Sequence, residues 1–329
     1  MGSRARVLLS GLAGLAVACA VTACHPSSSG PSASGLPASG PSSASTVASP
    51  SGDPVRPTTA ASPAAGPANP VLAGPVVALG DSYTAGALLP LDATATPPGC
   101  LRSPDAYPVL VATALKAPLT DVACTNAGVK EMTEAQKTYL GTNPPQLQAL
   151  GPADALVLLT LGGDDMGFMN VLQTCMKLSV TDPWGSPCEA HYTKGGADQL
   201  AARVTAEAPR LASVLAAVAA DAPHARIMLV GYPDLFPRSG GCWPAVPISD
   251  GDIGYLRGVE TKMNAMLAAD AKAAGATYVD TFTPTIGHDF CAPRAARDFE
   301  GLIPDAGALP FHPNARGQAA IAAAVLREL

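Results

Sequence analysis

The chain has 329 residues, 48% of them hydrophobic and 14% charged, and 20 Lys and Arg against 26 Asp and Glu give a net charge of −6. The apolar content is enough for a sizeable core in one α/β domain, and the mild acidity, with no Lys/Arg run, excludes a nucleic-acid footprint. The 32 Gly and 33 Pro are unevenly spread, and this divides the chain.

At the N-terminus, Arg4 and Arg6 precede an apolar run at 7–21 that is short and Ala/Gly-rich for a membrane span. The run ends in Val21-Thr22-Ala23-Cys24. This resembles the lipobox of bacterial lipoproteins, where small residues precede a Cys that is diacylated and becomes the new N-terminus. Residues 1–23 are therefore expected to be a lipoprotein signal peptide and Cys24 the lipidated residue. An ordinary signal peptide, or a second lipobox at Cys19 after Ala16-Val17-Ala18, is the alternative. Two acyl chains on one terminus anchor stably, unlike one. From His25 to Pro70, 46 residues are almost all Ser, Pro, Ala, Gly and Thr. Such a segment lacks the apolar area to offset its ordering entropy. Residues 24–71 read as a disordered tether with a coil reach of roughly 40 Å. The folded domain is expected at 72–329, exported to the outer face of the membrane or secreted, as a monomer.

Within that domain, short apolar runs at 76–79, 155–161, 226–231 and 277–280 read as buried parallel strands. Helical stretches fall at 105–115, 198–220, 252–274 and 313–329, the last with Pro313 at a first-turn position. Strand–helix alternation predicts a three-layer α/β/α sandwich around a central parallel sheet. Ligands bind at the C-terminal ends of the strands in such sheets, which points to the loops after Leu79, Leu161 and Gly231. The domain's cysteines are Cys100, Cys124, Cys175, Cys188, Cys242 and Cys291. Six cysteines in an exported domain imply disulfides, with 15 pairings open in principle. No C-x-x-C pair suggests zinc.

Gly80-Asp81-Ser82-Tyr83 directly follows the first strand. Gly permits the sharp strand-to-helix turn, and Ser82 at the helix start is either an N-cap or a nucleophile. Asp81 is expected to support its own turn through side-chain to backbone hydrogen bonds. A nucleophile needs a base, and His312 stands at the entrance to the last helix in Phe311-His312-Pro313-Asn314-Ala315-Arg316-Gly317.

The segment Val77-Ala78-Leu79-Gly80-Asp81-Ser82-Tyr83-Thr84-Ala85-Gly86 resembles the first block of the SGNH, or GDSL-type, hydrolases, and His312 to Gln318 resembles their last. Arg102-Ser103, Tyr107-Pro108, Gly231-Tyr232-Pro233 and Gly287-His288-Asp289-Phe290-Cys291 are similar to secreted actinobacterial lipases and esterases of that family. The likeness spans residues 76–329. It implies a single flavodoxin-like α/β/α domain, Ser82 as nucleophile, His312 as general base, the Ser82 N–H as an oxyanion donor and no cofactor. It also implies disulfides Cys100–Cys124, Cys175–Cys188 and Cys242–Cys291.

Three positions depart from the family pattern. Where an Asp usually stands three residues before the His, this chain has Leu309, so its main-chain carbonyl is expected to orient the ring, with Asp305 the alternative. The family's second-block Gly aligns with Asn126, which tolerates left-handed geometry better than most residues. Gly128 is the other candidate for that backbone oxyanion donor. The family's third block, Gly-x-Asn-Asp, reads Gly162-Gly163-Asp164-Asp165. An ionised Asp164 accepts hydrogen bonds only and would repel an oxyanion. Desolvation would raise its pKa and let it donate as the neutral acid, giving a narrow, acid-shifted optimum.

Adjacent Asp164 and Asp165, with no His or Cys joining them, give no metal site. His25, His191 and His224 read as surface or loop residues and His288 as fold support; Trp184 and Trp243 belong to either pocket or core. The expected function is hydrolysis of carboxylic esters, of lipids, phospholipids or acetylated glycans, by a Ser82–His312 dyad through an acyl-enzyme. The competing reading is a catalytically weakened SGNH domain that binds a lipid or envelope ligand without turnover.

Overall fold

The computed structural model describes residues 74–329. The expectations for the signal peptide, Cys24, Cys19, His25 and the tether lie outside the described residues. The chain enters a parallel sheet through β1 (Val76–Gly80) and β2 (Leu119–Asp121). A small antiparallel hairpin follows, β3 (Gln136–Thr138) and β4 (Gly141–Asn143). The sheet is completed by β5 (Leu156–Thr160), β6 (Arg226–Val230) and β7 (Thr277–Val279), in the order β2-β1-β5-β6-β7 with every pairing parallel. Four of these five strands are legible as apolar runs. Leu119–Asp121 is not: it is an edge strand of three residues, none of them fully buried, so no apolar run marks it.

The helices are α1 (Ser82–Ala85), α2 (Tyr107–Leu115), α3 (Val129–Thr133), α4 (Phe168–Ser179), α5 (Pro187–Tyr192), α6 (Gln199–Asp221), α7 (Asp250–Ala273), α8 (Phe282–Thr285) and α9 (Ala315–Glu328). Side chains alternate across the sheet. Val77, Leu79, Val157, Leu159 and Leu229 face one core, shared with Leu211 and Leu215 of α6 and Leu256, Met263 and Leu267 of α7. Val76, Leu156, Leu158, Met228 and Val279 face the other, with Val111 of α2 and Ile321 and Val325 of α9. Both faces of the sheet are therefore dry, which is why its central strands are continuous apolar runs.

Local capping chemistry sets the helix starts. Asp198 accepts from the N–H groups of Leu200 and Ala201 and opens α6. Asn314 does the same for α9, accepting from Arg316 and Gly317. Pro313 thus lies one residue before the cap, not in the first turn as its sequence position suggests. Among the described residues the disulfides are Cys100–Cys124, Cys175–Cys188 and Cys242–Cys291. Among the described residues, no helix is long and apolar enough to cross a membrane.

Candidate active site

The registers of β1 and β5 bring two loops together. Gly80 pairs with Thr160, and the Asp81 N–H donates to the Thr160 carbonyl at 3.1 Å, so the loops after β1 and β5 begin side by side. Gly80 has φ +124°, and a Cβ there would sit 2.1 Å from the Thr160 carbonyl oxygen, so only glycine fits this turn. Asp81 caps α1 by accepting the Tyr83 N–H at 2.9 Å. Ser82 is thereby fixed as the first residue of α1, and its own N–H makes no hydrogen bond to any described residue.

His312 arrives from the far end of the chain. The loop before α9 is pinned by Glu300, whose N–H donates to the His312 carbonyl while the Phe311 N–H donates to the Glu300 carbonyl. Gln318 of α9 clasps the serine side, accepting the Tyr107 N–H at 2.7 Å and donating to the Tyr83 carbonyl at 3.0 Å. The Tyr83 hydroxyl in turn donates to the Phe311 carbonyl. The result is a 2.7 Å hydrogen bond between Ser82 Oγ and His312 Nε2, spanning 230 residues of sequence.

The ring's other nitrogen fixes the tautomer. His312 Nδ1 lies 2.8 Å from the Pro310 carbonyl oxygen. A carbonyl can only accept, so Nδ1 carries the proton and Nε2 presents its lone pair to the serine hydroxyl. This corrects both orienting candidates. The Leu309 carbonyl is occupied by the backbone N–H of His312 itself at 3.1 Å, and the turn passes the ring to Pro310, one residue on. Asp305 is held away by ion pairs to Arg294 and Arg297. Asp305→Ala is accordingly expected to keep ester hydrolysis within about threefold of wild type, since surface ion pairs contribute little. A hundredfold loss of kcat/KM on a 4-nitrophenyl ester would refute that.

The oxyanion candidates separate. Gly128 donates its N–H to Glu131 Oε2 at 2.9 Å and is not free. Asn126 has φ +64°, in the left-handed region that asparagine tolerates better than most residues, and its N–H bonds to no described residue. Its segment lies against the nucleophile turn, because the Cys124 N–H donates to the Gly80 carbonyl at 3.0 Å. Asp165 holds this segment in place: it accepts the Val129 N–H at 2.9 Å and pairs with Arg210 at 2.7 Å.

Asp164 lines a narrow pocket of about 50 Å³ with Ser82 and His312, and its carboxylate has no hydrogen-bond partner among the described residues. Burial first, then the charges of Asp165 and Glu131, push it up to about 6. His312 is pushed down to about 4 by burial, which the Pro310 carbonyl only partly offsets. The pocket's wall is apolar: Met166, Phe168 and Met169 from one side, Val259 and Met263 of α7 from the other, closed by Tyr83 and Tyr232. Neither tryptophan lines it; Trp184 is exposed and Trp243 half-buried outside it.

Sequence reasoning assigned no role to several groups that build the site. The Tyr232 hydroxyl accepts the Gly163 N–H at 2.8 Å and donates to Asp81 Oδ2, bridging the two loops. Burial and the nearby charge of Asp164 push the Asp81 carboxyl up. Gln146 bonds both the N–H and the carbonyl of Gly80. Gly231-Tyr232-Pro233 is one of the stretches that resemble the family, which could have pointed to Tyr232, but Gln146 and the α7 residues had no local signal. His288 bonds the Ala296 carbonyl through Nδ1 in its own loop, and His191 and His224 are exposed. Among the described residues, no cluster of three or more His, Cys, Asp or Glu could hold a metal.

A doubly covered parallel sheet, with a serine at a strand-to-helix turn and a histidine from the loop before the last helix bonded to it, defines a serine hydrolase of the α/β class. Comparison with known proteins places it more narrowly. Residues 78–320 match the GDSL-like Lipase/Acylhydrolase family, and the chain belongs to that family. It is 39% identical to Lipase 2 of Streptomyces coelicolor over 74% of this chain and 81% of that protein. The fold is similar to the crystal structure of phospholipase A1 from Streptomyces albidoflavus, with a TM-score of 0.65 and 28% identity over 78% of this chain and 98% of that one. It is equally similar to the extracellular lipase of Streptomyces rimosus, at a TM-score of 0.64 and 27% identity over 78% and 99%. The chain is an ester hydrolase of this lipase and esterase family.

Proposed function

We propose that the protein cleaves carboxylic esters by acyl transfer to Ser82. The observation that carries this is the 2.7 Å Ser82–His312 bond, with Nε2 as acceptor. In the first step His312 Nε2 takes the Oγ proton as the hydroxyl attacks the ester carbonyl. The imidazolium then gives that proton to the leaving alkoxide. In the second step the same nitrogen activates water, which hydrolyses the acyl-serine and regenerates the hydroxyl. The Pro310 carbonyl holds the ring in the reactive tautomer throughout, stabilising the imidazolium less than a carboxylate would.

The oxyanion is assigned to the free N–H groups of Ser82 and Asn126, with the protonated carboxyl of Asp164 as third donor. The apolar slot beside them takes the near end of the acyl chain. Residues 1–23 are proposed as a lipoprotein signal peptide, Cys24 as the anchored residue, and the ester substrate as one met outside the cell membrane. The likeness to an extracellular lipase supports the export part of this reading.

The test is covalent. After reaction with a fluorophosphonate that mimics the tetrahedral intermediate, peptide mass spectrometry is expected to find the adduct on Ser82 alone, with hydrolysis of 4-nitrophenyl butanoate lost in step. An unlabelled Ser82 in active protein would move the chemistry elsewhere. A labelled Ser82 without any turnover would favour the binding-domain reading that Asp164 suggests.

A further inference from the structure

We propose that Glu260 selects the acyl group: the slot beside Ser82 takes a short acyl chain that carries a hydroxyl, in preference to a plain alkanoyl chain of the same length. The proposal rests on the hydrolase reading above and names the substrate class within it. Glu260 lines the slot together with Ser82 and His312, and the mechanism does not use its carboxyl. It stands on α7 beside Val259 and one turn before Met263, both of which belong to the apolar wall of the same slot. Only 6% of its surface is exposed. Nucleophile and carboxyl thus share one volume of about 50 Å³, so an acyl chain of a few carbons joined to Ser82 lies in the space that Glu260 borders.

The contacts of Glu260 within the fold do not account for a carboxyl at this position. Its two oxygens share one partner, the Leu235 N–H, at 3.2 and 3.3 Å. A single N–H satisfies one oxygen and leaves the other open. Among the described residues, no Lys or Arg forms an ion pair with it. Arg257, one turn earlier on α7, is held by Asp234 through hydrogen bonds of 2.9 and 2.8 Å. The other carboxyls that line the slot, Asp81 and Asp164, bring no positive charge. Burial first, then the charge of Asp234, hold the Glu260 carboxyl well above the usual carboxylate range. It is therefore a neutral acid, able to donate from one oxygen and accept at the other. Burying such a group for one long hydrogen bond to a backbone N–H costs more than that bond contributes.

The rest of the slot decides what can meet that open oxygen. Met166, Phe168, Met169, Val259 and Met263 offer no polar atom able to pair strongly with it. A plain alkyl chain would cover the carboxyl and leave it unpaired in an apolar volume. A hydroxyl is both donor and acceptor and matches a neutral carboxyl in both roles. Sites that hold a polar group for a substrate hydroxyl discriminate against the analogue that lacks it, because the site's own group is then stranded.

The experiment measures kcat/KM of the full chain on dissolved 4-nitrophenyl butanoate, 2-hydroxybutanoate and 3-hydroxybutanoate. Each value is divided by the ester's own alkaline hydrolysis rate constant, so that intrinsic reactivity cancels. Wild type is expected to favour one of the two hydroxy esters over butanoate by about tenfold, the worth of one buried hydrogen bond. Glu260→Met, apolar and of similar length, is expected to bring that ratio to one or below. Glu260→Gln keeps an acceptor for the Leu235 N–H and a donor for the hydroxyl, and is expected to hold the ratio within about threefold of wild type. Each ratio compares substrates on a single preparation, so a variant that folds incompletely still gives it. Equal normalised rates on all three esters in wild type, or an undiminished preference in Glu260→Met, would overturn the proposal. Turnover of none of the three by wild type sinks the hydrolase reading itself, whereas turnover of all three without preference sinks only the role of Glu260.

Discussion

At pH 8, Asp164→Asn is expected to hydrolyse 4-nitrophenyl butanoate about 100-fold faster than wild type, and to lose the fall in rate that wild type shows above pH 6. Two groups set the wild-type profile. His312 must be neutral to act as base, and with its pKa pushed down to about 4 it is neutral above that pH. Asp164 must be protonated to donate to the oxyanion, and with its pKa pushed up to about 6 it is protonated below that. Wild-type kcat/KM should therefore rise through about pH 4, peak near pH 5 and fall through about pH 6. Two pH units above its pKa, only about 1% of Asp164 keeps its proton, hence the size of the effect. An asparagine amide donates at every pH, so only the acid limb survives in the variant. The measurement is kcat/KM from pH 3.5 to 9 for both proteins. A variant profile superimposable on wild type would remove Asp164 from the oxyanion site.

Ser82→Ala and His312→Ala are each expected to lower kcat by about 10⁴ to 10⁶, and the double variant to lose little more than either alone. The reason is that the two side chains act as one device. Without the imidazole, the hydroxyl keeps its proton and is a poor nucleophile; without the hydroxyl, the base has nothing to activate. Whatever activity remains comes from the N–H groups of Ser82 and Asn126, which polarise the carbonyl for water. The absence of a carboxylate behind His312 places this dyad at the lower end of the range, since the Pro310 carbonyl offsets less of the imidazolium charge. Kinetics of the two single variants and the double variant give the answer. Additive losses would mean that Ser82 and His312 work independently, and the dyad would have to be given up.

The catalytic pair was legible from sequence because each half sits in a stretch whose spacing is local. Gly80 must adopt positive φ for the chain to turn from β1 into α1, and that need ties Gly80, Asp81 and Ser82 into one recognisable run. Asn314 must cap α9, which places His312 just outside its first turn. The central strands were legible because both faces of the sheet are covered, leaving no polar position to interrupt the runs. Asn126 was found through its alignment with the glycine of the family's second block, and its tolerance of left-handed geometry kept it a candidate.

What the amino-acid order determined by itself was therefore the architecture, the six bonded cysteines as a set, the nucleophile and base, and the anomaly at Asp164. The architecture follows from residue types acting on their own few neighbours, whereas the nucleophile, the base and the anomaly at Asp164 follow from the resemblance of short local blocks to those of the family. Only the tertiary structure decided that the ring is held by Pro310 rather than Leu309 or Asp305, that Glu131 disqualifies Gly128, and that Tyr232 ties the loops of Ser82 and Asp164 together. It also decided how far Asp164 and His312 shift. Those outcomes depend on which groups from distant segments share a water-poor volume, and the cost of charge there is set by the surroundings in space, of which the linear order carries no local trace.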